Sequence, residues 1–122
     1  MAIERILIID DDIYLCDEFA ESLKSEGYSV DYTDDPFKGE ELIRSGGYDA
    51  ILLDYRMPVI TGIDILRNLK TDNIKKRIFI VTGRPSVEQV LREENLSDMV
   101  SGIFKKPIDF EYLLKSLNKA TS

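Results

Sequence analysis

Residues 4–11 read ERILIIDD, an uninterrupted apolar run from Ile6 to Ile9 that stops at two carboxylates, Asp10 and Asp11. Three further runs stop the same way: AILLD (50–54) at Asp54, RIFIVT (77–82) at Thr82 and GIFKKP (102–107) at Lys106. Short, Ile-rich runs without polar alternation read as strands covered on both faces, the habit of parallel sheets. Parallel strands of one open sheet bring their carboxyl ends together, so three carboxylates, a hydroxyl and an ammonium are expected to meet in one crevice. Such a cluster reads as a cation-dependent phosphoryl acceptor site.

Helix patterns fill the gaps between the runs. After the Ile3–Ile9 strand, Leu15, Phe19 and Leu23 recur every fourth residue beside Cys16 and Ala20, a core-facing stripe that Gly27 ends. The second strand, near Tyr28–Thr33, alternates and carries Asp31, so it reads as an edge. A second helix opens at Pro36 and stops before Gly46 and Gly47. Thr61 and Asp64 have capping-box spacing before a third helix from about Gly62 to Lys70, which turns Ile63, Leu66 and Leu69 inward. Ser86 and Gln89 have the same spacing before a fourth helix with apolar Val87, Val90 and Leu91, expected to end near Leu96. Asp109 caps a fifth, with Phe110, Leu113, Leu114 and Leu117 at i, i+3, i+4 and i+7. Five strand–helix units joined by right-handed crossovers predict a doubly wound, three-layer α/β sandwich; a closed eight-fold barrel needs roughly twice this length.

Length and composition bound the rest. A chain of 122 residues, 43% hydrophobic, suits one domain over 1–122. A net charge of −7 disfavours direct nucleic-acid or anionic-membrane binding, which relies on Lys and Arg. No apolar stretch approaches the roughly 20 residues that span a bilayer, and no signal peptide opens the chain, so a cytoplasmic protein is expected. Cys16 is the single cysteine and reads as a buried helix residue. Histidine is absent, which removes the commonest general base and any imidazole to activate Cys16.

The chemistry therefore falls to oxygen and ammonium groups. Two like charges about 4 Å apart repel by on the order of 4 kcal/mol at an effective dielectric near 20. Something positive must offset that among Asp10, Asp11 and Asp54. A hard, oxygen-preferring divalent ion suits the set, and Mg²⁺ is the abundant cellular choice. A phosphoryl group arriving at Asp54 adds negative charge, which the ion, Lys106 and Thr82 are placed to stabilise, with the Asp54 carboxylate as nucleophile. Asp10, Asp11 and Asp12 also suit the first turn of a helix, and that is the reading taken for Asp12.

With these residues in view, the chain resembles the receiver domain of bacterial two-component response regulators over essentially its whole length. The resemblance rests on ILIIDDD (6–12), AILLDYRMP (50–58) with Gly62 following, FIVTG (79–83) and FKKP (104–107). It implies the flavodoxin-like strand order 2-1-3-4-5. It also implies that Asp54 is phosphorylated and that Asp10, Asp11 and Asp54 hold Mg²⁺ with the backbone carbonyl of Arg56. Lys106 then contacts the phosphoryl group, and Thr82 is the switch hydroxyl. Lys106, rather than Lys105, is chosen because it directly precedes Pro107, and that peptide bond is expected to be cis. The family's aromatic switch position falls on Ile103, a departure. Arg56 and Arg84 stand two residues beyond Asp54 and Thr82, where they either overhang the site and slow hydrolysis or are simply solvated.

The implied partners are a sensor histidine kinase or histidine phosphotransfer protein as donor, and a downstream protein at the face of helix four, strand five and helix five. Glu93, Glu94, Met99 and Tyr112 are candidates for that face. The chain is either a stand-alone receiver or a piece of a larger regulator. A dehalogenase-like phosphatase needs a second aspartate where Arg56 stands, and a flavodoxin-like nucleotide site is opposed by Asp10, Asp11 and Asp12. A phosphorylation-independent interaction domain of the same fold is the remaining alternative.

Overall fold

Strand and helix alternate along the chain in the computed structural model, which describes residues 4–119. Ile3, placed by its sequence at the head of the first strand, lies outside the described residues. The strands are β1 (Arg5–Ile9), β2 (Ser29–Thr33), β3 (Ala50–Asp54), β4 (Ile78–Thr82) and β5 (Gly102–Lys105). Between and after them lie α1 (Ile13–Ser25), α2 (Pro36–Ser45), α3 (Gly62–Thr71), α4 (Val87–Glu93) and α5 (Phe110–Lys119), with a short 3₁₀ turn at Ser97–Met99.

All four strand pairings are parallel, in the order β2-β1-β3-β4-β5. The side-chain period of two then splits the apolar runs between two cores. Leu7, Ile9, Ile51, Leu53, Ile78 and Ile80 pack with Ile43 of α2, the apolar stripe of α3, and Val87 and Leu91 of α4. Ile6, Ile8, Leu52, Phe79, Val81 and Phe104 face the other way, against Cys16, Ala20 and Leu23 of α1 and Leu113 and Leu117 of α5. Helices on both faces explain why β3 and β4 are buried throughout. The edge position of β2 explains its polar alternation, with Asp31 accepting the Tyr48 hydroxyl at 2.6 Å.

Capping separates the helices that are well set from the one that is not. Asp12 accepts the Leu15 N–H, Asp109 accepts those of Glu111 and Tyr112, and Thr61 with Asp64 forms the reciprocal box. The box expected at Ser86 and Gln89 does not form. An N-cap needs an extended backbone to aim its oxygen into the first turn, whereas Ser86 sits at ψ 6° and makes no side-chain cap bond. Gln89 donates instead to Glu93 at 2.8 Å. Nor does α4 run to Leu96. It stops at Glu93, and Asn95 turns left-handed at φ 56°. The 3₁₀ turn that follows buries Met99 in the core, so Met99 is not part of an exposed face; Glu93, Glu94 and Tyr112 are exposed.

Thr61→Ala should lower unfolding free energy by about 1 kcal/mol, whereas Ser86→Ala should stay within about 0.5 kcal/mol of wild type. Urea unfolding of the two variants checks the contrast, and equal losses would contradict it.

Candidate functional site

The parallel register decides which side chains meet. Ile9 pairs with Leu53, so Asp10 follows beside Asp54; Asp54 pairs with Val81, and Thr82 with Lys105. The carboxyl ends of β1, β3, β4 and β5 thereby bring Asp10, Asp54, Thr82 and Lys106 to one end of the sheet.

Local bonds hold each group in place. Asp10 Oδ1 accepts the Asp12 N–H at 3.0 Å, which fixes the carboxylate as the chain turns into α1. The backbone carbonyl of Asp10 accepts the Cys16 thiol at 3.5 Å. Beyond Asp54, Tyr55 N–H donates to Val81 O at 2.9 Å, and Gly62 N–H donates to Tyr55 O at 3.0 Å. A Cβ at Gly62 would stand 2.7 Å from the Asp54 carbonyl oxygen, so glycine is what lets α3 start this close to the acid. Lys106 N–H donates to Thr82 O at 2.8 Å, and the Lys106–Pro107 peptide is cis.

The Lys106 ammonium lies 3.1 Å from Asp54 Oδ1 and 3.3 Å from Asp10 Oδ2. Asp10 and Asp54 are each 4% exposed, and Asp11 is exposed at the rim. One carboxylate oxygen from each of the three acids lies within 4.8 Å of the others. Thr82 is buried, and its hydroxyl oxygen accepts the Arg84 N–H at 2.9 Å. Arg56 and Arg84 are exposed on the loops beyond β3 and β4. Ile103 is half-buried and packs on the α2–α3–α4 side of the sheet, whereas Phe104 faces the α1–α5 side.

Burial, and after it the charge of Asp10, pushes the Asp54 carboxyl up to about 6, although Lys106 pulls the other way. Asp10 is also raised, again chiefly by burial, against the Asp12 N–H and Lys106. Burial lowers Lys106, but its two acidic partners outweigh that and leave it raised. The ammonium therefore stays charged as the internal counter-ion, and one ammonium faces three carboxylates. The surplus of clustered hard oxygen donors fits a divalent ion such as Mg²⁺. Burial drives the Cys16 thiol up to about 12, which removes it as a nucleophile.

Two supports were not legible in the sequence. The Cys16 thiol reaches back six residues to the Asp10 carbonyl, and no spacing rule signals such a bond. The steric demand at Gly62 depends on where α3 meets β3.

The sequence profile of the response regulator receiver domain matches residues 6–118. The transcriptional regulatory protein QseB of Escherichia coli O157:H7 is 35% identical over 85 residues, 70% of this chain and 39% of that protein. The response regulator MprA of Mycobacterium sp. (strain KMS) is 33% identical over 110 residues, 90% of this chain and 47% of that protein. The chain thus spans half or less of the length of these relatives. Among solved structures, chemotaxis protein CheY4 of Vibrio cholerae superposes with a TM-score of 0.82 at 26% identity, covering 97% of this chain and 98% of that one. Response regulator TrrA of Thermotoga maritima, solved in complex with Mg²⁺ and BeF, gives 0.80 at 25% identity, covering 96% and 98%.

The raised Asp54 carboxyl carries a sign for stability. Its folded form holds the proton more tightly than the unfolded chain, whose carboxyl sits near 3.8, so its contribution is fully present below that value and is lost as pH rises through about 6. Asp54→Asn should therefore stabilise the metal-free protein at pH near 8, by up to the order of 2–3 kcal/mol, with the gain shrinking toward pH 4. Thermal unfolding of both proteins across that range checks this. A variant less stable than wild type at pH 8 would contradict it.

Proposed function

The chain belongs to the response regulator receiver domain family, and from that premise we propose that residues 1–122 form one phosphoacceptor domain with Asp54 as the acceptor. The observation that carries this reading is the buried Asp54 carboxylate, joined to Asp10 through the Lys106 ammonium at the carboxyl ends of the strands.

A carboxyl that titrates at about 6 is mostly ionised at neutral pH, so Asp54 is available as the nucleophile. Its carboxylate oxygen attacks the phosphorus of a partner's phosphohistidine. An O–P bond forms as the N–P bond breaks, and the imidazole leaves with the electron pair. The donor is a sensor histidine kinase or a histidine phosphotransfer protein, because this chain has no histidine of its own. Lys106 offers its ammonium to the transferring phosphoryl oxygens, and the Thr82 hydroxyl, one register step from Asp54, donates to them afterwards. Asp10, Asp11, Asp54 and the backbone carbonyl of Arg56 would hold Mg²⁺, which when bound adds positive charge against the phosphoryl oxygens.

An open groove of about 490 Å³ beside Lys106, lined by Leu15, Glu18, Phe19, Pro107 and Ile108, gives a macromolecular donor a largely apolar seat next to the acceptor. Arg56 and Arg84 flank the crevice and limit the approach of hydrolytic water. The output is a population shift at the face of α4, β5 and α5, where Ile103 replaces an aromatic switch residue and a downstream partner binds. No helix of the described residues is long and apolar enough to cross a membrane, and a cytoplasmic site of action suits a phosphohistidine donor.

Incubation with Mg²⁺ and acetyl phosphate, read by intact mass, should add one phosphoryl group to wild type and none to Asp54→Asn. Lys106→Gln should slow the addition by about 10²-fold. No mass gain in wild type with several small donors would favour a phosphorylation-independent interaction domain. In the same assay, Arg56→Ala/Arg84→Ala should lose its phosphoryl group faster than wild type; an unchanged rate would refute the shielding role.

A further inference from the structure

The seven residues of α4 make under two turns, too short a helix to persist by its own hydrogen bonding. Val87 and Leu91 are its buried residues, and Ser86 supplies no cap. Its ends are held by other elements. At the amino end, Arg84 N–H donates to the Thr82 hydroxyl, which ties the approach to α4 to the end of β4. At the carboxyl end, left-handed Asn95 closes a Schellman turn: Asn95 N–H reaches Arg92 O at 3.1 Å and Leu96 N–H reaches Leu91 O at 2.8 Å.

Two cations of α3 grip that turn. Arg67 pairs with Glu94 through Nη2 and with Asp64 at 3.0 Å through Nη1. Lys70 Nζ donates to the Asn95 carbonyl at 2.5 Å and to Asp98 at 3.0 Å. The helix that carries them is firmly set: it has the Thr61–Asp64 box, and Ile65, Leu66 and Leu69 are fully buried. On its other side, Arg44 of α2 pairs with Asp72 at 2.7 Å, and Asn68 donates to Glu40 at 3.1 Å. Arg67 and Lys70 are therefore fixed posts against which α4 is held.

We propose that Arg67 and Lys70 latch the carboxyl-terminal turn of α4 through Glu94, Asn95 and Asp98, and that this latch opposes the rearrangement that follows phosphorylation of Asp54. The inference rests on the phosphoacceptor reading. When Thr82 turns toward a phosphoryl group on Asp54, it draws Arg84 and the entry to α4 with it. So short a helix moves as a unit, and the cations at its far end resist. By linkage, a contact that favours the resting state weakens whatever binds the rearranged one. Exposed ion pairs are individually modest and salt-sensitive, so removing both cations is worth a change of about three- to tenfold.

The test is titration of beryllofluoride, with Mg²⁺ present, into wild type, Arg67→Gln/Lys70→Gln and the charge-retaining Arg67→Lys/Lys70→Arg. The neutralised variant should bind about three- to tenfold tighter at low ionic strength, the advantage should shrink at roughly 0.5 M salt, and the charge-retaining variant should return toward wild type. In the free neutralised variant, α4 amides should exchange faster. Equal or weaker binding by the neutralised variant would overturn the latch, and a loss of fold would also act in that weakening direction. The single variants Arg67→Gln and Lys70→Gln, each expected to bind tighter by a smaller factor, keep the inference open to refutation if the double variant does not fold. Wild type that binds with no difference among variants removes the latch alone; wild type that takes no beryllofluoride removes the phosphoacceptor reading and the latch with it.

Discussion

Asp10 and Asp54 are buried side by side at the carboxyl ends of the strands, and Lys106 sits between them as the internal counter-charge. Both acids are displaced upward, chiefly by burial; the charge of Asp10 adds to the displacement of Asp54, and that of Asp11 to the displacement of Asp10. The sheet tolerates the arrangement because the surrounding layers bury enough apolar surface to hold it. The crowding is also what makes the crevice useful: it favours an incoming cation, because a single ammonium leaves the buried Asp54 and its acidic neighbours under-compensated.

The same register that creates the repulsion sets the reach of the site. Asp54 and Thr82 end adjacent parallel strands, and the Lys106 N–H is bonded to the Thr82 carbonyl, so the crevice is tied directly to β4 and β5. From Thr82 the hydrogen bond to the Arg84 N–H leads into the approach to α4, a short helix with no side-chain cap at its amino end. Arg44 and Asn68 tie α3 to α2, and Arg67 and Lys70 tie α3 to the carboxyl end of α4. A rigid layer with one weakly set helix, joined to the acceptor through a hydroxyl, is a physical basis for a two-state element.

Most of this was legible in the chain. Ile-rich runs that stop at Asp10, Asp54, Thr82 and Lys106 gave the strands and their polar ends, because burial on both faces leaves little room for other patterns. The stripes of α1, α3 and α5 followed from helical spacing, and Asp12, Thr61 and Asp109 cap as their positions implied. The failures lie where a local pattern needs a backbone it does not have. Ser86 and Gln89 have capping spacing, but Ser86 lies in a turn at ψ 6° instead of the extended backbone a cap needs. Met99 follows α4 in the sequence and is expected at the partner face of α4, β5 and α5, yet the 3₁₀ turn folds it inward. The thiol bond from Cys16 to Asp10, the clearance at Gly62 and the grip of Arg67 and Lys70 on α4 all depend on how separate segments pack, which no single window of residues records.

Three converging carboxylates, under-compensated by one lysine, are a ligand set suited to a divalent ion beside Asp54. Calorimetric titration of Mg²⁺ into the wild-type protein and into Asp10→Asn, at a pH well above 6, tests it most directly. Wild type should take up one ion per chain, and removing the Asp10 charge should weaken binding by at least about tenfold. Matching isotherms for the two proteins, or no saturable uptake by wild type, would contradict it.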